Sequence, residues 1–176
     1  MESDEQLIER AKGGDTEAFG VLYHRYRDWV YGLSRRFTGD RELALDVVQE
    51  TFAYLLKKLP GLKLRCKMTS FLYPAVKNLS IAALRKKRRY ISPEDGVENV
   101  YVPNEPTTEA RARLAGALKG LSSEQREVVL MRFVDDMTIE EIAEAIGIAA
   151  GTVKSRLYKA LAVLREDPRT RDYFLD

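Results

Sequence analysis

The sequence predicts an all-helical protein of two small domains joined by a flexible linker, and three observations carry that prediction. Apolar residues recur with the helical i, i+3, i+4, i+7 period over most of the chain. The stretch that breaks the period, YISPEDGVENVYVPNEPT at residues 90–107, has three prolines and no Lys or Arg, which is linker composition. Charge is segregated around it. Residues 1–89 carry 18 Lys and Arg against 11 Asp and Glu, a net of +7; residues 90–109 carry five acids and no base, a net of −5; residues 110–176 carry 11 of each. A basic half, an acidic connector and a neutral half read as two domains and a tether, with boundaries at 1–89, 90–107 and 108–176.

Each element follows from its punctuation. A first helix over 4–12 stops at Gly13 and Gly14, and Asp15 caps a second, whose Phe19, Leu22, Tyr23, Tyr26, Val30 and Leu33 keep the period to about residue 38. Gly39 and Asp40 break it. A third helix runs over 41–59 with Ala44, Val47, Val48, Phe52, Leu55, Leu56 and Leu59 as its core stripe, and Pro60-Gly61 ends it. After the basic loop LKLRCKMT at 62–69, Ser70 is the expected cap of a helix reaching residue 89. The second half predicts helices over 108–119, 123–133, 138–147 and 150–166; Thr138 with Glu141 forms a Thr-x-x-Glu capping box at the start of the third of these. The tail 167–176 has no assignment.

Composition removes several function classes. No apolar run approaches the ~20 residues of a membrane span, and the acidic N-terminus lacks a signal core, so a cytoplasmic protein is expected. The single cysteine, Cys66, permits no internal disulfide, and the single histidine, His24, has no clustered metal-ligand partner. No phosphate loop, zinc spacing or nucleophile motif is present, so neither an enzyme nor a cofactor-dependent protein is expected.

Residues 138–161, TIEEIAEAIGIAAGTVKSRLYKAL, have the geometry of a helix-turn-helix. Ile139, Ile142, Ala143 and Ile146 form the inner face of a short helix, Gly147 permits the turn, and Val153, Leu157, Ala160, Leu161 and Leu164 form the inner face of a second helix that fits a major groove. Lys154, Arg156, Lys159 and Arg165, with no acid among residues 150–165, make the second helix basic. Thr152, Ser155, Arg156 and Lys159 lie toward solvent, and Gly151 and Thr152 at its start offer backbone N–H groups to a phosphate.

In the first half, Arg85, Lys86, Lys87, Arg88 and Arg89 form a run of five cations at a helix end, more than a helix dipole needs. Lys63, Arg65 and Lys67 in the preceding loop, with Phe71 and Tyr73 just beyond, fit a surface that tracks a phosphate chain and stacks unpaired bases. The helix over 41–59 instead keeps Asp46, Gln49 and Glu50 together on its outer face. On periodicity alone these are a solvated exterior; as an interface they fit a basic protein surface, since they repel phosphate.

Five segments carry a family resemblance: GDTEAF (14–19), LYHRY (22–26) and ALDVVQETF (44–52), then LSSEQREVVLMRF (121–133) and EIAEAIGIAAGTVKSRLYKAL (141–161). In this order and spacing the chain resembles a bacterial RNA polymerase sigma factor of the extracytoplasmic-function group of the sigma-70 family, over residues 5–165. The resemblance implies that residues 1–89 are a region 2 domain and residues 108–176 a region 4 domain. Asp46, Gln49 and Glu50 match the motif that docks on the clamp helices of the polymerase's largest subunit. Residues 62–89 correspond to the part that opens and reads the minus-ten element, with Asn78 and the basic run matching, so that Lys63, Arg65, Lys67, Asn78, Arg85, Lys86, Arg88 and Arg89 are its candidate DNA contacts. Gly151, Thr152, Lys154, Ser155, Arg156 and Lys159 are the candidates for the minus-thirty-five element. An anti-sigma factor is a further expected partner. The chain departs from the family pattern at Phe71 (often Trp), Pro74 (usually basic), Ala82 (often acidic) and Ala149 (usually a polar cap).

Overall fold

In the computed structural model, residues 2–91 and 109–171 are described. They form eight α-helices and one 3₁₀ turn, arranged in two compact units. The first unit carries α1 (Asp4–Lys12), α2 (Thr16–Thr38), α3 (Arg41–Lys58), the turn Leu59–Gly61 and α4 (Met68–Ile91). The second carries α5 (Glu109–Lys119), α6 (Ser123–Phe133), α7 (Ile139–Ile146) and α8 (Ala150–Glu166). Most of the segment read as a linker, residues 92–107, and the tail from residue 172 lie outside the described residues.

Helix starts are set by local side-chain chemistry. Ser3 and Gln6 form a reciprocal capping box on α1, Ser122 and Gln125 one on α6, and Thr138 and Glu141 one on α7. Asp15 caps α2 through the N–H groups of Glu17 and Ala18, and Asp40 caps α3 through those of Glu42 and Leu43. Each such cap satisfies N–H groups that have no partner within the helix. Gly39 and Gly147 take left-handed φ values of 65° and 69° at the ends of α2 and α7, where a Cβ would be strained.

The core of the first unit is the junction of α2, α3 and α4, with α1 laid across α2. Leu22, Val30 and Leu33 meet Ala44, Val47, Val48, Phe52 and Leu55, and α4 contributes Leu72, Tyr73 and Val76. α1 is held by its buried Leu7 and Ile8 and by Asp4, which accepts hydrogen bonds from Arg25 (2.5 Å) and from the Tyr26 hydroxyl. In the second unit α8 packs against α6 and α7 through Val153, Leu157, Ala160 and Leu164, facing Val128, Met131, Ile142 and Ala145.

Three sequence expectations are corrected. α4 begins at Met68, so Ser70 is a buried residue inside the helix rather than its cap. Pro74 therefore lies in the second turn, where it brings no N–H to the helix ladder. Leu56, expected in the α3 core stripe, is 54% exposed. Ala145, not Ala143, is the buried alanine of α7.

Candidate functional site

Three surfaces collect the polar side chains that the cores do not use. The first is the outer face of α3. Asp46, Gln49 and Glu50 are all exposed. At about 100° per residue they fall within a sector of roughly 100°. Glu42, Ala53 and Lys57 extend the same face, and the exposed Leu45 and Leu56 flank it on one side. The surface is thus a carboxylate–amide patch with an apolar margin, a composition suited to a protein partner rather than to phosphate. The margin was missed in the sequence because Leu56 satisfies the helical period, yet more than half of its surface is exposed. Behind the patch, the Phe52 ring lies 4.7 Å from Tyr23 and 6.5 Å, edge-on, from Phe19.

The second surface is the loop before α4 together with the outer face of α4. Lys63, Arg65 and Lys67 are exposed. Along α4, Asn78, Ala82, Arg85 and Arg89 are exposed, and at the helical pitch they form one stripe, with Lys86 exposed on one flank and Arg88 half-buried on the other. The stripe runs free of the core for three turns. Lys87 differs: its ammonium pairs with the carboxylate of Asp40 at the start of α3. That ammonium, followed by the Leu43 N–H, holds the Asp40 carboxyl below its ordinary range. The two aromatics separate as well. Tyr73 is only 2% exposed and packs edge-on to Phe37 at 6.1 Å, so it is a core residue and not a stacking platform. Phe71 is half-buried and stacks on Tyr54 of α3 at 6.2 Å, with the Lys58 ammonium 5.6 Å from the Tyr54 ring. Tyr54 has no motif around it in the sequence; only the fold brings it beside Phe71.

The third surface is the outer face of α8. Gly151, Thr152, Lys154, Ser155 and Lys159 are exposed. Arg156 is half-buried, and its charge is felt at Glu124 on α6, whose carboxyl is lowered first by backbone and Ser122 hydrogen bonds and last by Arg156. Ala149 stands in the extended conformation of an N-cap but contributes no side-chain bond. The Thr152 N–H is taken by the Ala149 carbonyl at 2.9 Å, so it is not available to a phosphate as expected. Apart from the adjoining backbone of α8, the described residues leave the space around a Gly151 Cβ open to 4 Å. Tyr158 is 76% exposed near the centre of this face, between Lys154 and Ala162. The helix-turn-helix pattern gave Tyr158 no role; its place one residue after the buried Leu157 is the signal that could have found it.

The described helices include none long and apolar enough to cross a membrane. Two short helical units, one with a cationic helix face and one with a helix-turn-helix, agree with comparison to known proteins. Residues 22–90 match the family model for sigma-70 region 2, and residues 111–164 match that for sigma-70 region 4. The chain is 29% identical to the ECF RNA polymerase sigma factor SigW of Bacillus subtilis over 92% of its own length and 95% of the relative's. It is 30% identical to the RNA polymerase sigma-E factor of Streptomyces avermitilis, covering 90% and 89% of the two chains. Among solved structures, CnrH in complex with the cytosolic domain of CnrY shares the fold, with a TM-score of 0.69 at 23% identity over 92% of this chain and 94% of that one. The sigma factor RpoE of Bartonella quintana, solved with the anti-sigma factor NepR, shares it with a TM-score of 0.63 at 22% identity, over 84% and 94%. The chain belongs to the sigma-70 family of RNA polymerase sigma factors, within its extracytoplasmic-function group.

Proposed function

We infer that the three surfaces divide the work of a sigma factor among them. The chain is a transcription initiation factor that binds core RNA polymerase and directs it to promoters, and it is not itself an enzyme. In this reading Asp46, Gln49 and Glu50 dock on the clamp helices of the polymerase's largest subunit, with Leu45 and Leu56 at the margin of the interface. The observation that carries it is the exposed carboxylate–amide triad on a helix whose opposite face is wholly committed to the core.

Lys63, Arg65, Lys67, Asn78, Arg85, Lys86, Arg88 and Arg89 then hold the minus-ten element and assist its melting, cations tracking the phosphates of the opened strand. Gly151, Lys154, Ser155, Arg156 and Lys159 address the minus-thirty-five element from the major groove, with Thr152 contributing its side chain rather than its N–H. The working division of the chain is residues 1–89 for polymerase and the minus-ten element, 90–107 as tether, and 108–176 for the minus-thirty-five element. The protein acts in the cytoplasm, where its polymerase is. An anti-sigma factor is the expected regulator, supported by the similar fold of RpoE solved with the anti-sigma factor NepR.

Assembly with purified core polymerase tests the reading. The wild-type chain is expected to co-elute with core, and an Asp46→Ala, Gln49→Ala, Glu50→Ala variant with unchanged circular dichroism is expected not to. A wild-type chain that ignores core yet shifts duplex DNA alone would make it a stand-alone regulator instead.

A further inference from the structure

The five cations at the end of α4 are not equivalent. Taking Arg85 as the origin and about 100° per residue, Arg89 lies at about 40°, Lys86 at about 100° and Arg88 at about −60°, whereas Lys87 lies at about 200°. Asn78 and Ala82 fall with Arg85 and Arg89, while the buried Val76 and Ser80 fall within about 20° of Lys87. Lys87 therefore continues the packed face of α4, and it meets Asp40 where that face leaves the core. Asp40 is a rigid partner. One carboxylate oxygen accepts the Glu42 and Leu43 N–H groups at 2.8 and 3.1 Å, and the other accepts Lys87. Its own N–H donates to the hydroxyl of the buried Thr38 at 3.3 Å, and that hydroxyl lies 2.9 Å from the Ser34 carbonyl. One carboxylate thus caps the helix that bears the triad and grips the cationic end of α4, 47 residues later.

We propose that Asp40 and Lys87 are positioning residues: their ion pair aims the Asn78–Arg85–Arg89 stripe at DNA, and Lys87 is the one cation of the run that makes no phosphate contact. The proposal rests on the reading of α4 as the minus-ten surface. It makes α3 the common frame for polymerase docking and promoter contact, so that the direction of the DNA-facing stripe is fixed relative to the polymerase.

The test is a salt titration of promoter binding and a measurement of open-complex yield, with holoenzyme reconstituted from core polymerase and each variant. Asp40→Asn keeps a good N-cap while removing the charge, so the helix start survives. Lys87→Gln is expected to leave the slope of log affinity against log salt unchanged, whereas Arg85→Gln lowers it by about 0.7–0.9. Asp40→Asn and Lys87→Gln are each expected to lower open-complex yield by about two- to five-fold, the range open to a partly exposed ion pair. The double variant should lose no more than either single one, and Lys87→Arg should retain wild-type yield. A slope for Lys87→Gln as low as that for Arg85→Gln would make Lys87 a phosphate contact and overturn the proposal. Losses that multiply in the double variant would overturn it too. If Arg85→Gln also leaves the slope unchanged, the minus-ten reading of α4 has failed and the positioning role falls with it.

Discussion

Phe52 and Tyr23 meet with ring centroids 4.7 Å apart, on the side of α3 that packs against α2 and away from the exposed face of Asp46, Gln49 and Glu50. The inner and outer faces of α3 therefore answer to different constraints. Phe52→Ala is expected to destabilise the first unit by about 3–5 kcal/mol, the usual cost of truncating a buried phenylalanine. Each substitution in the exposed triad should stay within about 0.5 kcal/mol. Urea denaturation beside a core-polymerase binding assay separates the two: Phe52→Ala moves the unfolding midpoint, and the triad variants move only the binding.

Tyr73 and Phe71 are two residues apart and have unlike neighbours. Tyr73→Ala empties a core position beside Phe37 and should cost about 3–5 kcal/mol, on the scale of other large aromatic truncations. Phe71→Ala loses a surface stack on Tyr54, worth about 0.5–1.5 kcal/mol beyond area burial, and should show a clearly smaller loss. Thermal melts of the two variants check the order; an equal shift would place Phe71 in the core.

Tyr158 presents most of its surface to solvent on α8, so its removal should not unfold the chain. Tyr158→Ala is expected to leave the melting temperature within about 1–2 °C. It should weaken minus-thirty-five binding by about tenfold, on the scale of one base contact at about 1–3 kcal/mol. The neighbouring Leu157→Ala should do the reverse, with a stability loss of about 2–5 kcal/mol. Fluorescence anisotropy with a minus-thirty-five duplex and holoenzyme reads the first effect, and denaturant melts read the second.

Ala149 holds cap geometry, φ −66° and ψ 143°, with no cap side chain. Ala149→Ser needs no backbone change and should stabilise the second unit by about 1 kcal/mol. A denaturation midpoint that does not rise would mean the start of α8 is already satisfied by solvent.

Asp167 closes α8 and is held at about 2 by the Arg169 side chain first, with the Arg169 N–H assisting. The sign follows from a folded value below the ordinary carboxylate range. The stabilisation is complete above the unfolded value of about 4 and is lost as pH falls toward the folded one. A Cβ on Gly116 would stand 2.7 Å from an Arg169 nitrogen, so Gly116→Ala should push that guanidinium aside. Carboxyl NMR titration is expected to show Asp167 rising toward its ordinary value in Gly116→Ala and in Arg169→Gln alike. An unmoved titration in Arg169→Gln would reassign the shift to the backbone.

The helices and their starts were legible because their causes are local. Ser3 with Gln6, Asp15, Asp40, Ser122 with Gln125 and Thr138 with Glu141 cap within three residues of themselves, and glycine after α2 and α7 ends them by its own freedom at positive φ. The start of α4 differs because Ser70 is a cap by type, and packing of Met68, Leu72 and Val76 drew the helix three residues earlier. The candidate residues were readable as types on helix faces, and most are exposed as expected. The Thr152 N–H was not, because the first turn of α8 tightened onto the Ala149 carbonyl.

By itself, then, the sequence determined the all-helical order, the caps, the helix-turn-helix and the family, since period, cap chemistry and motif spacing are properties of neighbours along the chain. Tertiary structure alone decided that Leu56 faces outward, that Tyr73 is buried while Tyr54 shields Phe71, and that Lys87 turns from the other cations to Asp40. Those outcomes depend on which helix lies against which. A helical period states that a face is apolar or charged, and only the neighbour's reach states where that face ends.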